Sequence, residues 1–214
     1  MRIKVGIRPS LLAFKQAEEI ESKLEGVSFE FVFIATKGDK DKQTPLSIIE
    51  DSDFFTREIE MALLCGRIDA AVHSAKDLEE YPPSDLVTAA LTKSVSPYDC
   101  LVSHQGYNLQ DIPSGAVVGT SSKNRKASVI KNRPDIITKD IRGNIDERLV
   151  KLDRGQYDAV VMAEAALLRL GCTRPRWIVP FFVISPHLLQ GRLAVQIHKK
   201  RKKLSDIFRR IHGA

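Results

Sequence analysis

Short apolar runs of strand length alternate with helix-length apolar stripes along almost the whole chain. That alternation confines it to α/β folds with parallel or mixed sheets. Residues 2–7 alternate as a strand, Ser10 can cap the helix that follows, and Leu12, Ala13, Ala17, Ile20 and Leu24 form its apolar stripe. Phe29 to Thr36 is almost unbroken apolar sequence, which predicts a strand in a sheet covered on both faces. Residues 37–53, rich in Lys, Asp and Ser, read as a long mobile loop. Asp53 or Thr56 then starts a helix through Cys65, with Phe55, Ile59, Ala62 and Leu63 facing inward. A strand at Ala70-Ala71-Val72 ends in His73-Ser74-Ala75-Lys76-Asp77, and the Tyr81-Pro82-Pro83 turn leads into a strand at Leu86–Leu91.

Near residues 92–100 the pattern starts again. Strands are predicted at 100–103, 116–119, 135–138 and 158–162, and helices at 121–132, 144–153 and 164–170. A last strand, Leu193–Ile197, precedes a basic tail helix. Two α/β lobes with mixed sheets are expected, the final segment being able to return to the first. A weak internal echo supports this: Val5-Gly6-Ile7-Arg8-Pro9-Ser10 and Val118-Gly119-Thr120-Ser121-Ser122 both run strand, glycine, then hydroxyl at a helix start. Either place can seat a carboxylate or phosphate on free N–H groups, or can simply be a capped helix. Neither has the glycine spacing of a P-loop or a dinucleotide site.

The formal charge of +6 raises a nucleic-acid reading, which its distribution argues against. His198 to Ala214 holds seven Lys or Arg against Asp206 alone, so residues 1–197 sum to zero. Within that neutral body, residues 123–151 carry nine basic and four acidic side chains, a local segment that suits a compact anion site. The tail is a solvated helix face, a weak polyanion binder or a junction, and the sequence leaves these open. No stretch reaches the roughly 18–20 apolar residues of a membrane span, and the start reads as a strand with no secretory signal. Cys65, Cys100 and Cys172 form no C-x-x-C pair, so no zinc site or disulfide scaffold is indicated and a reducing, cytoplasmic compartment is expected.

The residues that can carry chemistry cluster at element ends. Arg8 stands beside the first helix start, Arg125 and Lys126 beside the second, and Arg142 with Arg148 around Gly143-Asn144, where a tight turn and an N-cap are expected. Guanidinium forks suit carboxylates. Lys76-Asp77 follows a buried strand, where Asp77 can face a cleft and meet a cation, or can merely cap a loop. His73 has no ligand spacing beside it, and a core or loop hydrogen bond is its expected role, with no metal site.

These stretches resemble the porphobilinogen deaminases, also called hydroxymethylbilane synthases, from Ile3 to about Gln196. The markers run in order: Arg8-Pro9-Ser10-Leu11-Leu12-Ala13 with Gln16, Thr36-Lys37-Gly38-Asp39, Phe55-Thr56-Arg57-Glu58 and Ala71-Val72-His73-Ser74-Ala75-Lys76-Asp77. Val118-Gly119-Thr120-Ser121-Ser122, Arg142-Gly143-Asn144, Arg148-Leu149 and Tyr157-Asp158-Ala159 follow. The resemblance implies two lobes of the type II periplasmic-binding-protein kind, the first over 1–92 with a returning segment at 180–214, the second over 93–179.

It also implies a transferase that condenses four porphobilinogen molecules, releases ammonia each time, and frees a linear tetrapyrrole by hydrolysis. A dipyrromethane cofactor primes the chain, and a porphobilinogen or related polycarboxylated pyrrole is the expected partner of a monomer. Asp77 matches the catalytic aspartate, which contacts pyrrole nitrogens and stabilises the cation left by ammonia. Lys76, Arg8, Ser10, Thr120, Ser121, Ser122, Arg125, Arg142, Arg148 and Arg169 match cofactor- and substrate-binding positions. Arg142 and Arg148 are also implied in protonating the leaving amine, although a guanidinium is a poor acid.

Three stretches depart from the family pattern. A basic glycine-rich loop is replaced by Glu50-Asp51-Ser52-Asp53-Phe54-Phe55, the first arginine of an Arg-Arg pair by Asn124, and a late Gly-Gln-Gly motif survives only as Gln190-Gly191. The family's third domain, with the cysteine that holds the cofactor, is expected to be absent, and none of the three cysteines matches it. A non-catalytic porphobilinogen- or polycarboxylate-binding protein of the same fold is therefore the alternative.

Overall fold

The structure, a computed structural model, describes residues 1–41, 43–44, 53–79 and 81–214. In chain order its elements are β1 (Arg2–Ile7), α1 (Leu11–Ser22), β2 (Ser28–Phe33), α2 (Lys37–Lys40), α3 (Arg57–Leu64), β3 (Ala70–Ser74), a 3-10 turn (Ala75–Asp77), β4 (Leu86–Leu91) and β5 (Asp99–Ser103). They continue as β6 (Val117–Gly119), α4 (Lys123–Asn132), β7 (Ile137–Lys139), α5 (Ile145–Asp153), β8 (Ala159–Ala163), α6 (Glu164–Arg169), β9 (Arg176–Val179), β10 (Leu193–His198) and α7 (Lys202–Arg209). Two units result, one of Met1–Asp41, residues 53–95 and Gly191–Ala214, the other of Ser96–Gln190.

The first unit is built on a sheet ordered β2-β1-β3-β10-β4. β1 runs parallel to β2 and β3, while β10 is antiparallel to β3 and β4. Alternation along the strands sorts side chains to two faces. Ile3, Val5, Ile7, Val72, Val195 and Ile197 pack with Ala13, Ala17 and Ile20 of α1 and with Leu204 and Phe208 of α7. Ala71 points the other way, into Ile59, Ala62 and Leu63 of α3. The spacing of Ala13, Ala17 and Ile20 and the cap at Ser10, whose Oγ accepts the Ala13 N–H at 3.2 Å, explain why α1 forms where it does.

The tail docks through Leu204, Phe208 and Ile211, all buried. At about 1.5–3 kcal/mol for each large apolar side chain removed from water, that face anchors α7. Its cations lie outside: Lys199 pairs with Asp85 at 2.8 Å and Arg201 with Asp69 at 3.3 Å.

The second unit repeats the plan. Its sheet is ordered β7-β6-β8-β5-β9, with β6 parallel to β7 and β8, and β5 antiparallel to β8 and β9. Separate apolar clusters cover its faces, one around Leu101, Val118 and Val161, the other around Val102, Val160 and Met162. The exits of β1 and β6, where the sequence echo lies, occupy the same place in the two sheets.

Several elements differ from the sequence reading. The run Phe29–Thr36 forms a strand only to Phe33, and among the described residues β2 pairs with β1 alone, so Phe33 at the sheet edge is 57% exposed instead of covered. Lys37–Lys40 is a helical turn, not loop, because Asp39 closes a capping box with Thr36. The rest of that stretch, including Lys42 and the acidic Glu50-Asp51-Ser52, lies largely outside the described residues. β9 had no counterpart, since Arg176 and Trp177 break the apolar run. The returning segment starts at Gly191, not near 180. Val183 and Ile184 enter the second core, and Gln190 Nε2 donates to Pro97 O at 3.1 Å, which keeps 180–190 in the second unit.

Candidate functional site

Most of the expected site residues stand just beyond the C-terminal ends of parallel strands, where α/β sheets leave backbone groups and helix starts open to ligands. In the first unit, β1 delivers Arg8 and Ser10, and β3 delivers Lys76 and Asp77 on the 3-10 turn. Arg8 is already oriented. Its Nε and Nη2 donate to Asp39 Oδ1 at 3.1 and 2.5 Å, and its guanidinium carbon lies 4.4 Å from the centre of the Phe55 ring. Burial pushes the Asp39 carboxyl up, but Arg8 and the Thr36 N–H and hydroxyl outweigh it and hold the group below the ordinary carboxylate range. Gly38 makes this stack possible, since a Cβ there would sit 2.1 Å from the Phe55 ring.

Asp77 is half-buried, and among the described residues no hydrogen bond or ion pair engages its carboxylate. The strand end that carries it is held firmly. Gln16 Nε2 donates to Ser74 Oγ at 2.9 Å, and the Ala75 N–H donates to Arg192 O at 3.0 Å. His73 is buried, and desolvation pushes its ring down to about 4; the Gln196 amide acts against this and the Arg8 charge with it. The imidazole is therefore neutral at physiological pH.

In the second unit the structure brings Ser121, Arg142 and Arg148 to one turn. Ser121 Oγ donates to Ile141 O at 2.8 Å and accepts the Ile141 N–H at 3.0 Å, tying the β6 exit to the β7 exit. Gly143 turns the chain at φ 109, Asn144 caps α5 in a reciprocal box with Glu147, and Arg148 Nε reaches back to Gly143 O at 2.9 Å. Arg142 is buried, and its carbonyl accepts from Lys151 Nζ at 2.8 Å. Thr120 is buried beside them, with its N–H on Lys139 O at 2.9 Å.

Arg125 is drawn elsewhere. Its Nε and Nη2 bind Asp99 at 2.9 and 2.6 Å, and Gln190 bridges to the same carboxylate at 2.7 Å. Ser122 caps α4 by accepting the Arg125 N–H at 3.4 Å, Lys126 pairs with Asp140 at 2.8 Å, and Asn124 donates to Ser185 O at 2.7 Å. Arg169 closes α6.

Sequence reasoning missed Asp39 and Asp99 as the partners of Arg8 and Arg125. Asp39 had a signal, being three residues past Thr36 in a capping-box spacing. Asp99 had none, because it lies 26 residues from Arg125. Of the cysteines, Cys100 is buried and its thiol is pushed up to about 12 by desolvation, which rules it out as a nucleophile at neutral pH; Cys65 is exposed and Cys172 half-buried. Among the described residues no group of three or more His, Cys, Asp or Glu can hold a metal, and no helix is long and apolar enough to cross a membrane.

The model of the family described as "Porphobilinogen deaminase, dipyromethane cofactor binding domain" matches residues 3–206. Porphobilinogen deaminase of Rubrobacter xylanophilus is 40% identical over 213 residues, covering 99% of this chain and 70% of that protein. A probable porphobilinogen deaminase of Methanocella arvoryzae is 46% identical over 171 residues, covering 79% of this chain, which spans only 56% of that relative. Among solved structures, the VFT2 domain of Bordetella pertussis BvgS superposes with a TM-score of 0.53 at 15% identity, covering 98% of this chain and 86% of that one. That likeness shows the fold: α/β, with two mixed sheets of the type II periplasmic-binding-protein kind.

Proposed function

Because the chain belongs to the porphobilinogen deaminase family, we propose that it is a transferase that condenses four porphobilinogen molecules, with loss of ammonia, into a linear tetrapyrrole. The observation that carries the reading at the site is the Asp77 carboxylate, fixed at a strand end and without a partner among the described residues. Loss of ammonia from the aminomethyl group of porphobilinogen leaves a cation spread over the pyrrole ring and its methylene carbon. Asp77 accepts from the pyrrole N–H and offsets that charge as it develops. The methylene carbon then bonds to the open ring carbon of the pyrrole that ends the growing chain, and that ring carbon loses its proton.

Each substrate brings an acetate and a propionate. Arg8, Lys76, Arg142 and Arg148 are the cations assigned to these, with Arg169 a further one and Ser10, Thr120, Ser121 and Ser122 supplying backbone N–H or hydroxyl contacts. Arg125, whose fork is filled by Asp99, serves from behind, by fastening the start of α4. The same donors suit a dipyrromethane, whose carboxylates need guanidinium and helix-start partners. When bound, that group supplies the pyrrole carbon from which the chain is extended. The free thiols fit a reducing compartment, and we place the protein in the cytoplasm, as a monomer acting on a small molecule and not on nucleic acid.

Ammonia and tetrapyrrole release from porphobilinogen test this. A carboxylate about 4 Å from a developing cation contributes on the order of 4 kcal/mol at an effective dielectric near 20. Asp77→Ala is therefore expected to lower kcat roughly a thousandfold. Turnover that survives this substitution removes Asp77 from the mechanism; binding of porphobilinogen without any turnover removes the transferase reading.

A further inference from the structure

Three polar side chains on the α3 face of the first sheet are buried where apolar ones would be expected. Gln196 of β10 donates from Nε2 to Glu60 Oε1 of α3 at 2.7 Å, in a fully buried bond. That bond fixes the amide so that Gln196 Oε1 points away from Glu60. Gln196 Oε1 and His73 Nε2 are both buried, and neither has a hydrogen-bond partner among the described residues. They are neighbours by topology: Ala194 pairs with His73 and Gln196 with Ala71 across the β3–β10 ladder, and the Gln196 amide acts on the His73 ring. An imidazole carrying its proton on Nε2 is the donor that Gln196 Oε1 lacks, and a small rotation or one internal water joins them.

We infer that Glu60, Gln196 and His73 form a buried polar chain that positions the Lys76–Asp77 turn from the α3 face. The end of β3 is then held on three sides: by Gln16 on Ser74 from the α1 face, by Arg192 O on the Ala75 N–H along the edge, and by this chain beneath His73. Leaving a buried donor or acceptor unmatched costs roughly 1–3 kcal/mol, and three apolar residues would pack there without that penalty. A polar network of this kind fixes one arrangement where an apolar cluster tolerates several. The fixed arrangement matters at Asp77, because misplacement by about 1 Å at a reacting centre can cost on the order of a hundredfold in rate. These are positioning residues, and the assignment rests on the reading in which Asp77 is the working carboxylate.

The charged groups acting on this chain are Arg8 on the His73 ring, and Glu79 and Asp53 on Glu60. Exchanging the partners, Glu60→Gln with Gln196→Glu, keeps the hydrogen bond and moves the carboxylate beside the imidazole. In ¹⁵N-histidine NMR, wild-type His73 is expected to hold its proton on Nε2 unchanged between pH 5 and 8, and the exchanged variant to titrate inside that window. The Asp77 carboxyl ¹³C resonance should move with the same midpoint. In porphobilinogen turnover, kcat of the variant should fall about tenfold on the acid side of that midpoint, with KM constant. Should the double variant not fold, Glu60→Gln alone is expected to free the Gln196 amide and give His73 mixed tautomers. A proton on Nδ1 in wild type, or a His73 indifferent to these substitutions, shows that the chain does not exist. Titration of His73 without a response at Asp77 shows that it positions nothing. Absence of turnover in wild type condemns the proposed reaction, while the two resonances still decide the chain.

Discussion

Asp99→Ala separates fastening from ligand binding at Arg125. Asp99 is 2% exposed and accepts from Arg125 Nε at 2.9 Å, Arg125 Nη2 at 2.6 Å and Gln190 Nε2 at 2.7 Å. Its removal leaves a guanidinium, on a side chain only 13% exposed, without its counter-charge. Breaking one partner of a buried pair costs about 3–5 kcal/mol. Gln190 Oε1 stays near Nη2 at 3.3 Å, which puts the cost at the lower end, about 3 kcal/mol. Arg125→Met leaves Asp99 buried and unmatched and should cost a similar amount. The double variant contains neither charge, so its loss should fall short of the sum by about 2–3 kcal/mol. Urea unfolding followed by Trp177 fluorescence measures this, because the chain's single tryptophan sits on β9, paired with Leu101 of β5. With a slope of about 2 kcal/mol per molar urea, the Asp99→Ala midpoint should drop by about 1.5 M. A shift worth less than 1 kcal/mol, or additive effects in the cycle, would refute the clasp and return Arg125 to the ligand.

His73 predicts an acid slope. Its ring titrates near 6.5 when unfolded and at about 4 when folded, so protonation favours unfolding, and the contribution is complete above pH 6.5 and eroded as pH falls toward 4. At about 1.36 kcal/mol per pH unit the loss approaches 3 kcal/mol; urea titrations from pH 7 to 4 should show it, and His73→Gln should remove it. Asp39, held below its usual 3.8, contributes stability that is present above that value and lost as pH falls through the folded one. Asp39→Asn should flatten stability below pH 4 and raise KM for porphobilinogen by loosening Arg8. Gly143→Ala puts a Cβ 2.6 Å from Glu147 Oε2 at φ 109, so the α5 cap should fail at a cost of about 1–3 kcal/mol, read as a lower melting temperature.

Local patterns were legible where one element explains itself. Ser10, Ser122 and Asn144 announce helix starts, and Ala13, Ala17 and Ile20 give away the buried stripe, because capping and periodicity are written within a few residues. The strand ends that carry Arg8, Lys76-Asp77 and Arg142 could be placed for the same reason. What escaped was set by distant partners. The exposure of Phe33 follows from the edge position of β2, which only the sheet order reveals. The boundary at Gly191 depends on Gln190 reaching Pro97, 93 residues away, and the pairing of Gln196 with Glu60 spans 136 residues. No window along the chain contains such information.

Those distant carboxylates also change what the positive charge can do. Arg8, Arg125 and Lys126 read in the sequence as cations of an anion site at helix starts, yet each is matched by an aspartate: Asp39, Asp99 and Asp140. Unmatched cations would attract any polyanion, with steep salt dependence. A guanidinium held from behind by a carboxylate has lost most of that long-range field, but what remains of its fork is fixed in direction. On the proposed reading, a ligand is selected by where these donors point, and a polycarboxylate of the wrong spacing gains little from the +6 of the whole chain. Asp77 has been left the opposite way. No ion pair among the described residues engages it, so on the proposed reading a positive charge forming beside it is offset by Asp77 with no resident cation to displace first.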